Sequence, residues 1–159
     1  MTATLRFVHL LGLVVWIGGV VFFSFVTAPT LFGSLPRDMA GRAVSAIFPR
    51  YYLLGWIGGS LSLLSALVLG LRAAAWPRAL VAELALLLLM LGLSLFAGQV
   101  ILPQAYALRL SLPGLEGTPA YAAAKAEFDR LHRRSVLLNG TVLILGLGAV
   151  AIVSIRPPG

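Results

Sequence analysis

Residues 77–102 read PRALVAELALLLLMLGLSLFAGQVIL, and this stretch decides the fold class. Its single acidic residue, Glu83, stands in an aliphatic run long enough to cross a bilayer as a helix, which takes about 20 residues. In lipid such a run must be helical, because a helix satisfies its own backbone hydrogen bonds. Pro77 is a good first-turn residue and Pro103 follows the run, so the sequence predicts a membrane span between them.

Three further apolar runs share this character, at about residues 5–28, 51–71 and 135–155. The chain has 159 residues, of which 60% are hydrophobic and 11% charged, and its mean hydropathy is +0.99. A soluble domain carries about 25% charged residues, so too few remain here to cover a water-facing surface. The sequence therefore predicts an all-α, polytopic membrane protein, with residues 1–159 forming one four-helix transmembrane domain.

The chain ends and connections are predicted from local signals. The first run is longer than the roughly 7–15 residues of a secretory signal, so we interpret it as a retained span that Pro29 stops. Residues 35–48 mix charged and apolar side chains and predict a short helix in the membrane interface. Thr118-Pro119 resembles an N-cap followed by a first-turn proline, which predicts a helix that extends into span four. Residues 71–78 predict a tight turn, and residues 156–159 are expected to end span four.

Basic residues are distributed unevenly between the two sides of the predicted bundle, with four on the side of the termini and eight on the other. The four are Arg6, Arg72, Arg78 and Arg156, and the eight are Arg37, Arg42, Arg50, Arg109, Lys125, Arg130, Arg133 and Arg134. Cytoplasmic loops carry an excess of Lys and Arg, so we predict cytoplasmic long loops and external termini. The net charge of +7 fits loops on an anionic leaflet, and no aromatic–basic pattern supports nucleic-acid binding.

Small residues mark helix faces that can approach closely. The motif Trp16-Ile17-Gly18-Gly19 recurs at residues 56–59, Gly55 and Gly59 form a GxxxG, and Ser94 and Gly98 form a similar pair. In membranes such residues favour tight helix packing. This pattern permits a homodimer without requiring one.

His9 in span one and Glu83 in span three are the ionisable residues predicted at membrane depth. Such residues are rare in spans and mark candidate sites. At 1.5 Å per residue, both lie roughly 6–9 Å below the boundary on the side of the termini. A neutral imidazole could donate one N–H to the carboxylate and keep its other nitrogen as a ligand or proton acceptor. The alternatives are a structural polar pair, or a Glu83 bound to the arginines of that boundary.

The face of span one that bears His9 also carries Trp16, seven residues later. Gly12 and Gly19 lie on the same face at the same spacing. This combination leaves room for something flat beside the helix, with His9 as a candidate metal ligand, or for a neighbouring helix.

His132 is predicted on the opposite side of the membrane. About 30 Å of hydrocarbon separates it from His9, so the two cannot share one haem or metal ion. Asn139 and Gln99 could hydrogen-bond across helices on that side. The chain lacks cysteine, zinc-protease, phosphate-loop, dinucleotide and serine-triad motifs, which favours a non-enzymatic role without settling it.

A family resemblance follows from several short motifs. They are His9-x6-Trp16-x-Gly18-Gly19, Phe22-Phe23, Ala28-Pro29, Phe48-Pro49, Tyr51-Tyr52, Pro103, Leu131-His132, Ser135 and Asn139-Gly140. Together these resemble the transmembrane protein 205-like family of unknown function, within a wider group that includes CopD-type copper proteins and HemJ-type protoporphyrinogen oxidases. The resemblance implies a four-span bundle in a bacterial inner membrane.

The resemblance also suggests a ligand. HemJ-type enzymes hold haem b with the histidine of span one and a lysine in span three. His9 matches that histidine, and Glu83 stands near the lysine position. We therefore expect a small membrane protein that binds haem or another small ligand through His9 and Glu83. The alternatives are a module that binds lipid or a partner protein, and a HemJ-like oxidase or CopD-like copper protein.

Overall fold

The structure, a computed structural model, describes residues 2–73 and 76–155 and is helical almost throughout these ranges. Four long helices follow one another: α1 Thr2–Ser34, α2 Arg37–Leu71, α3 Arg78–Leu115 and α4 Ala120–Ile155. Each is long and apolar enough to cross a membrane, and the described ranges contain no strand. The predicted all-α, multi-pass membrane fold is confirmed.

The helices form a ring in chain order. Each packs against two neighbours, so that α1 contacts α2, α2 contacts α3, α3 contacts α4, and α4 returns to α1. As a consequence α1 and α3 face each other diagonally across the bundle. One apolar core draws on all four helices: Leu13, Trp16, Val20, Ala66, Leu80, Leu84, Leu87, Met90, Val142 and Ala149.

Two prolines that were expected to stop helices do not stop them. The prediction that Pro29 ends span one is wrong, because α1 continues to Ser34, and α3 likewise passes Pro103 and reaches Leu115. In both places a π-helical turn precedes the proline, at Phe23–Thr27 and Ala97–Ile101. This wider turn shifts the hydrogen bonds by one residue and relieves the clash that a proline ring makes with the preceding turn.

The connections are shorter than the sequence suggested. Residues 37–48 are helical, as predicted, but they continue through Pro49 into α2 instead of forming a separate helix. The predicted helix before span four is confirmed, because α4 runs unbroken from Ala120 to Ile155. The tight turn after Leu71 is described only in part, and the expected end of span four at residues 156–159 lies outside the described residues.

The outer surface of the bundle is apolar. Large hydrophobic side chains in the middle of each helix are exposed, among them Val14, Leu61, Leu88 and Ile144. Such a surface is stable against lipid and not against water. The helices contain 33 to 38 residues, or about 50–57 Å at 1.5 Å per residue, whereas a bilayer with its headgroups is about 40–45 Å thick. The charged residues concentrate at the ends joined by the α1–α2 and α3–α4 connections, which we call the loop side, so the helices extend beyond the membrane there.

Candidate functional site

The structure brings His9 and Glu83 together in the interior of the bundle. Nε2 of His9 lies 2.6 Å from Oε1 of Glu83, and the two side chains are 2% and 0% exposed. This is an ion-pair distance, short enough for a charge-assisted contact between the imidazole and the carboxylate. Because α1 and α3 are diagonal, the contact spans the bundle and the other two helices flank it.

Ser62 of α2 completes the site from the side. Nδ1 of His9 lies 2.9 Å from the Ser62 hydroxyl oxygen and 3.0 Å from the Ser62 carbonyl oxygen. Ser62 is itself fully buried. Both nitrogens of the imidazole are therefore engaged, one by a carboxylate and the other by a residue that offers a donor and an acceptor.

Helix α2 covers the face of α1 on which the flat ligand was expected. A Cβ at Gly12 would collide with the carbonyl oxygen of Gly58, and the indole of Trp16 lies against Gly55 and Gly59. Gly12 and Trp16 thus serve the close approach of α1 and α2, which is the alternative that the sequence left open.

Gly19 lies apart from this contact. No atom beyond its own helix comes within 4 Å of where a Cβ would stand. It lines a cavity of about 20 Å³ with Trp16, Tyr51 and Asn139, which is room for about one water molecule.

Haem does not fit this arrangement. Iron would need a free imidazole nitrogen, yet Nε2 contacts Glu83 and Nδ1 contacts Ser62. The cavity beside Trp16 is too small for a porphyrin. The described ranges also hold no group of three or more His, Cys, Asp or Glu side chains that could bind a metal ion. Haem ligation by His9 stays a prediction, and it requires that the ring leave Glu83.

Polar residues on the loop side form a separate cluster. The Tyr51 hydroxyl donates to the side-chain oxygen of Asn139 at 3.0 Å, and the Asn139 amide donates to the Tyr52 hydroxyl at 3.3 Å. The predicted cross-helix role of Asn139 is confirmed, while Gln99 lines a cleft between α2 and α3. His132 is exposed in the first half of α4 and stacks on Phe128. It lies 23 residues, or about 35 Å, before the end of that helix and is therefore far from His9.

Ser62 was missed in the sequence, although a signal for it was present. Buried small residues recur about once per turn along one face of α2, at Gly55, at Gly58 and Gly59, at Ser62 and at Ala66. The GxxxG pattern therefore extends to Ser62, and its hydroxyl lies on the face that meets α1.

The fold and the site together define a class, a multi-pass membrane protein built as a four-helix bundle around a buried histidine–glutamate pair. A family model described as "Domain of unknown function (DUF4149)" matches residues 11–111, and the chain belongs to that family. An "Uncharacterized protein" of Aquifex aeolicus (strain VF5) is similar to it, with 33% identity over 131 residues that cover 82% of this chain and 83% of that protein. No solved structure matches the chain.

Proposed function

We propose that this membrane protein binds and releases a proton at His9, Glu83 and Ser62, as a non-enzymatic module whose helix contacts depend on that proton. The observation that carries the proposal is the position of Ser62. Its hydroxyl and its carbonyl oxygen both lie within hydrogen-bonding distance of Nδ1. The site can therefore satisfy His9 in two protonation states.

The two states differ by one proton on Nδ1. When Nδ1 is bare, the Ser62 hydroxyl donates to it, while Nε2–H donates to the Glu83 carboxylate and the pair carries a net charge of −1. When Nδ1 is protonated, it donates to the Ser62 carbonyl oxygen, and the imidazolium and the carboxylate neutralise each other. A buried polar group without a partner is costly, and neither state leaves Nδ1 without one.

Apolar side chains separate the site from the loop side. Beyond His9 and Glu83, toward the loop side, lie Leu13, Leu87 and Met90, each no more than 1% exposed. This apolar layer contains no side chain that could pass a proton onward. We expect proton exchange with water from the side of the termini, to which His9 and Glu83 lie nearer, and we therefore propose a proton-binding centre and not a conducting path.

The test exploits the fact that the chain has two histidines. In a His132→Gln background, His9 is the sole source of imidazole nitrogen signals in ¹⁵N NMR of protein in nanodiscs. Over a pH titration, Nδ1 should change between the bare and the protonated form. Glu83→Gln should keep His9 neutral throughout, because no carboxylate then compensates a buried imidazolium.

The control is Glu116→Gln, which removes an exposed carboxylate and should leave the His9 titration unchanged. Nδ1 signals that stay constant across the titration of the otherwise unaltered protein would show a fixed structural pair and refute the proposal. Ser62→Ala removes only the hydroxyl donor, so it should depopulate the bare Nδ1 form selectively.

Several finer expectations belong with this proposal. We infer a single four-helix domain in a bacterial inner membrane, and the shared apolar core of the four helices supports the single domain. The likeness to the transmembrane protein 205-like, CopD and HemJ group and a homodimer through small-residue faces stay predictions. Haem ligation by His9, which would require the ring to leave Glu83, would give the purified protein a Soret band that His9→Ala removes.

A further inference from the structure

A second site lies between α2 and α3 in their loop-side halves, away from His9 and Glu83. It is a cleft of about 750 Å³, within the range that holds a ligand of several hundred daltons. Among its lining residues are Arg42, Tyr52, Trp56, Leu102, Tyr106 and Arg109. None of the residues of the proton-binding site lines this cleft.

The basic and the apolar residues that line the cleft lie at opposite ends of it. Arg42 and Arg109 lie toward the ends of their helices, whereas Trp56 and Leu102 lie deeper in the bundle. Arg42 and Trp56 are 14 residues apart on one helix, which is about 21 Å at 1.5 Å per residue. The cleft thus has a cationic end and an aromatic, aliphatic end, separated by more than the roughly 15 Å depth of one leaflet's hydrocarbon.

The cationic end keeps an excess positive charge. Asp38 is the acidic partner of both arginines, with its Oδ2 3.1 Å from Nη1 of Arg42 and its Oδ1 3.7 Å from Nη2 of Arg109. Two guanidinium groups and one carboxylate leave a net charge of +1. The guanidinium of Arg109 lies directly on Gly41, where a Cβ would collide with it, so this charge is held in place.

The cleft crosses the loop-side boundary of the hydrocarbon. A hydrocarbon core of about 30 Å corresponds to about 20 helical residues, and 20 residues before Leu71 brings α2 to Tyr51. Tyr51, Tyr52, Phe23 and Phe48 form a contiguous aromatic cluster at this level. Arg42, nine residues or about 14 Å before Tyr51, lies outside the hydrocarbon, and Trp56 lies just inside it.

We propose that this cleft binds a phospholipid of the surrounding bilayer that has an anionic headgroup. The phosphate pairs with Arg42 and Arg109, and one acyl chain lies against Tyr52, Trp56 and Leu102. Positive charge at one end and apolar surface at the other match the charge pattern of an anionic lipid.

Lipid binding can be measured by native mass spectrometry of the full chain released from detergent. The probes are phosphatidylglycerol and phosphatidylcholine with identical acyl chains, so that only the headgroup charge differs. We expect tighter binding of phosphatidylglycerol. Arg42→Gln should reduce that preference about fivefold, the contribution expected of one basic residue at an anionic surface.

Matched variants separate a built site from general surface charge. Arg133→Gln removes an exposed arginine of α4 outside the cleft and should leave the preference unchanged. Asp38→Asn frees both arginines and should strengthen phosphatidylglycerol binding, a gain that misfolding cannot mimic. Leu102→Gln should weaken binding of both lipids.

Three outcomes would overturn the proposal: equal affinity for the two lipids, equal losses in Arg42→Gln and Arg133→Gln, or weaker binding in Asp38→Asn. The His9 titration described above is independent of these measurements, so either proposal can fail without the other.

Discussion

At the scale of single residues, the close approach of α1 and α2 depends on the absence of a side chain at Gly12. Gly12 of α1 faces Gly58 of α2, and a Cβ at Gly12 would collide with the Gly58 carbonyl oxygen. The obstacle is backbone, which cannot move aside as the end of a flexible side chain can. The neighbouring Gly18 has no atom from outside its own helix near its Cβ position, so these two glycines of one helix have different roles.

Gly12→Ala should therefore destabilise the protein by about 1–3 kcal/mol, the usual cost of overpacking a close contact. Gly18→Ala is the matched control and should be neutral or slightly stabilising, because alanine favours a helix by up to about 1 kcal/mol over glycine. Thermal unfolding in one detergent compares the two. Equal melting temperatures would contradict the backbone contact between α1 and α2.

At the scale of helices, α2 is longer than its membrane span because α3 supports its first turns. Nη2 of Arg109 donates to the Asp38 carbonyl oxygen at 2.9 Å, and Ala40 beside this contact is fully buried. This support keeps residues 37–48 in line with α2 rather than flat on the membrane. Interfacial and continuous helices have the same charge and hydropathy pattern, so only the contact with α3 distinguishes them.

Arg109→Ala should loosen this part of α2 alone. We expect faster amide hydrogen exchange in residues 37–46 and unchanged exchange in residues 55–70, where α2 packs on Trp16 and Gly12. Arg133→Ala, on the exposed surface of α4, is the control. Protection that stays the same at residues 37–46 would mean that α2 does not need Arg109 to remain helical there.

At the scale of the whole molecule, the ring order of the helices creates the proton-binding site. His9 and Glu83 belong to helices that face each other diagonally, and Ser62 comes from a helix between them. All three lie in the half of the bundle nearest the termini, whereas the lipid cleft lies in the other half. The two sites therefore face opposite sides of the membrane, and the orientation of the bundle determines which compartment each one meets.

Topology reporters can establish that orientation. A fusion after Gly117 should report the cytoplasm and a fusion after Gly159 the outside, because eight basic residues lie on the loop side and four on the other. The lipid cleft would then meet the cytoplasmic leaflet, and His9 would exchange protons with the outside. The reverse result for both fusions would invert the bundle without altering its fold.

The sequence by itself determined the four apolar helices. Continuous apolar runs must be helical in lipid, whatever their neighbours are, and this requirement is local. The common depth of His9 and Glu83 was also predictable, because helix rise converts residue numbers into distance along the membrane normal. The small residues of α2 likewise indicated a close contact before its partner was known.

Only the tertiary structure decided which face of each helix meets which neighbour. Rotation of a helix about its axis leaves the depth of its residues in the membrane unchanged. The predicted depths therefore could not show that His9 contacts Glu83, or that Ser62 and not a ligand contacts Nδ1 of His9. The filling of the Gly12 face by α2 and the cleft beside Arg109 depend in the same way on helix rotation and ring order. Packing of side chains across the bundle sets both, and no single segment of the chain contains that information.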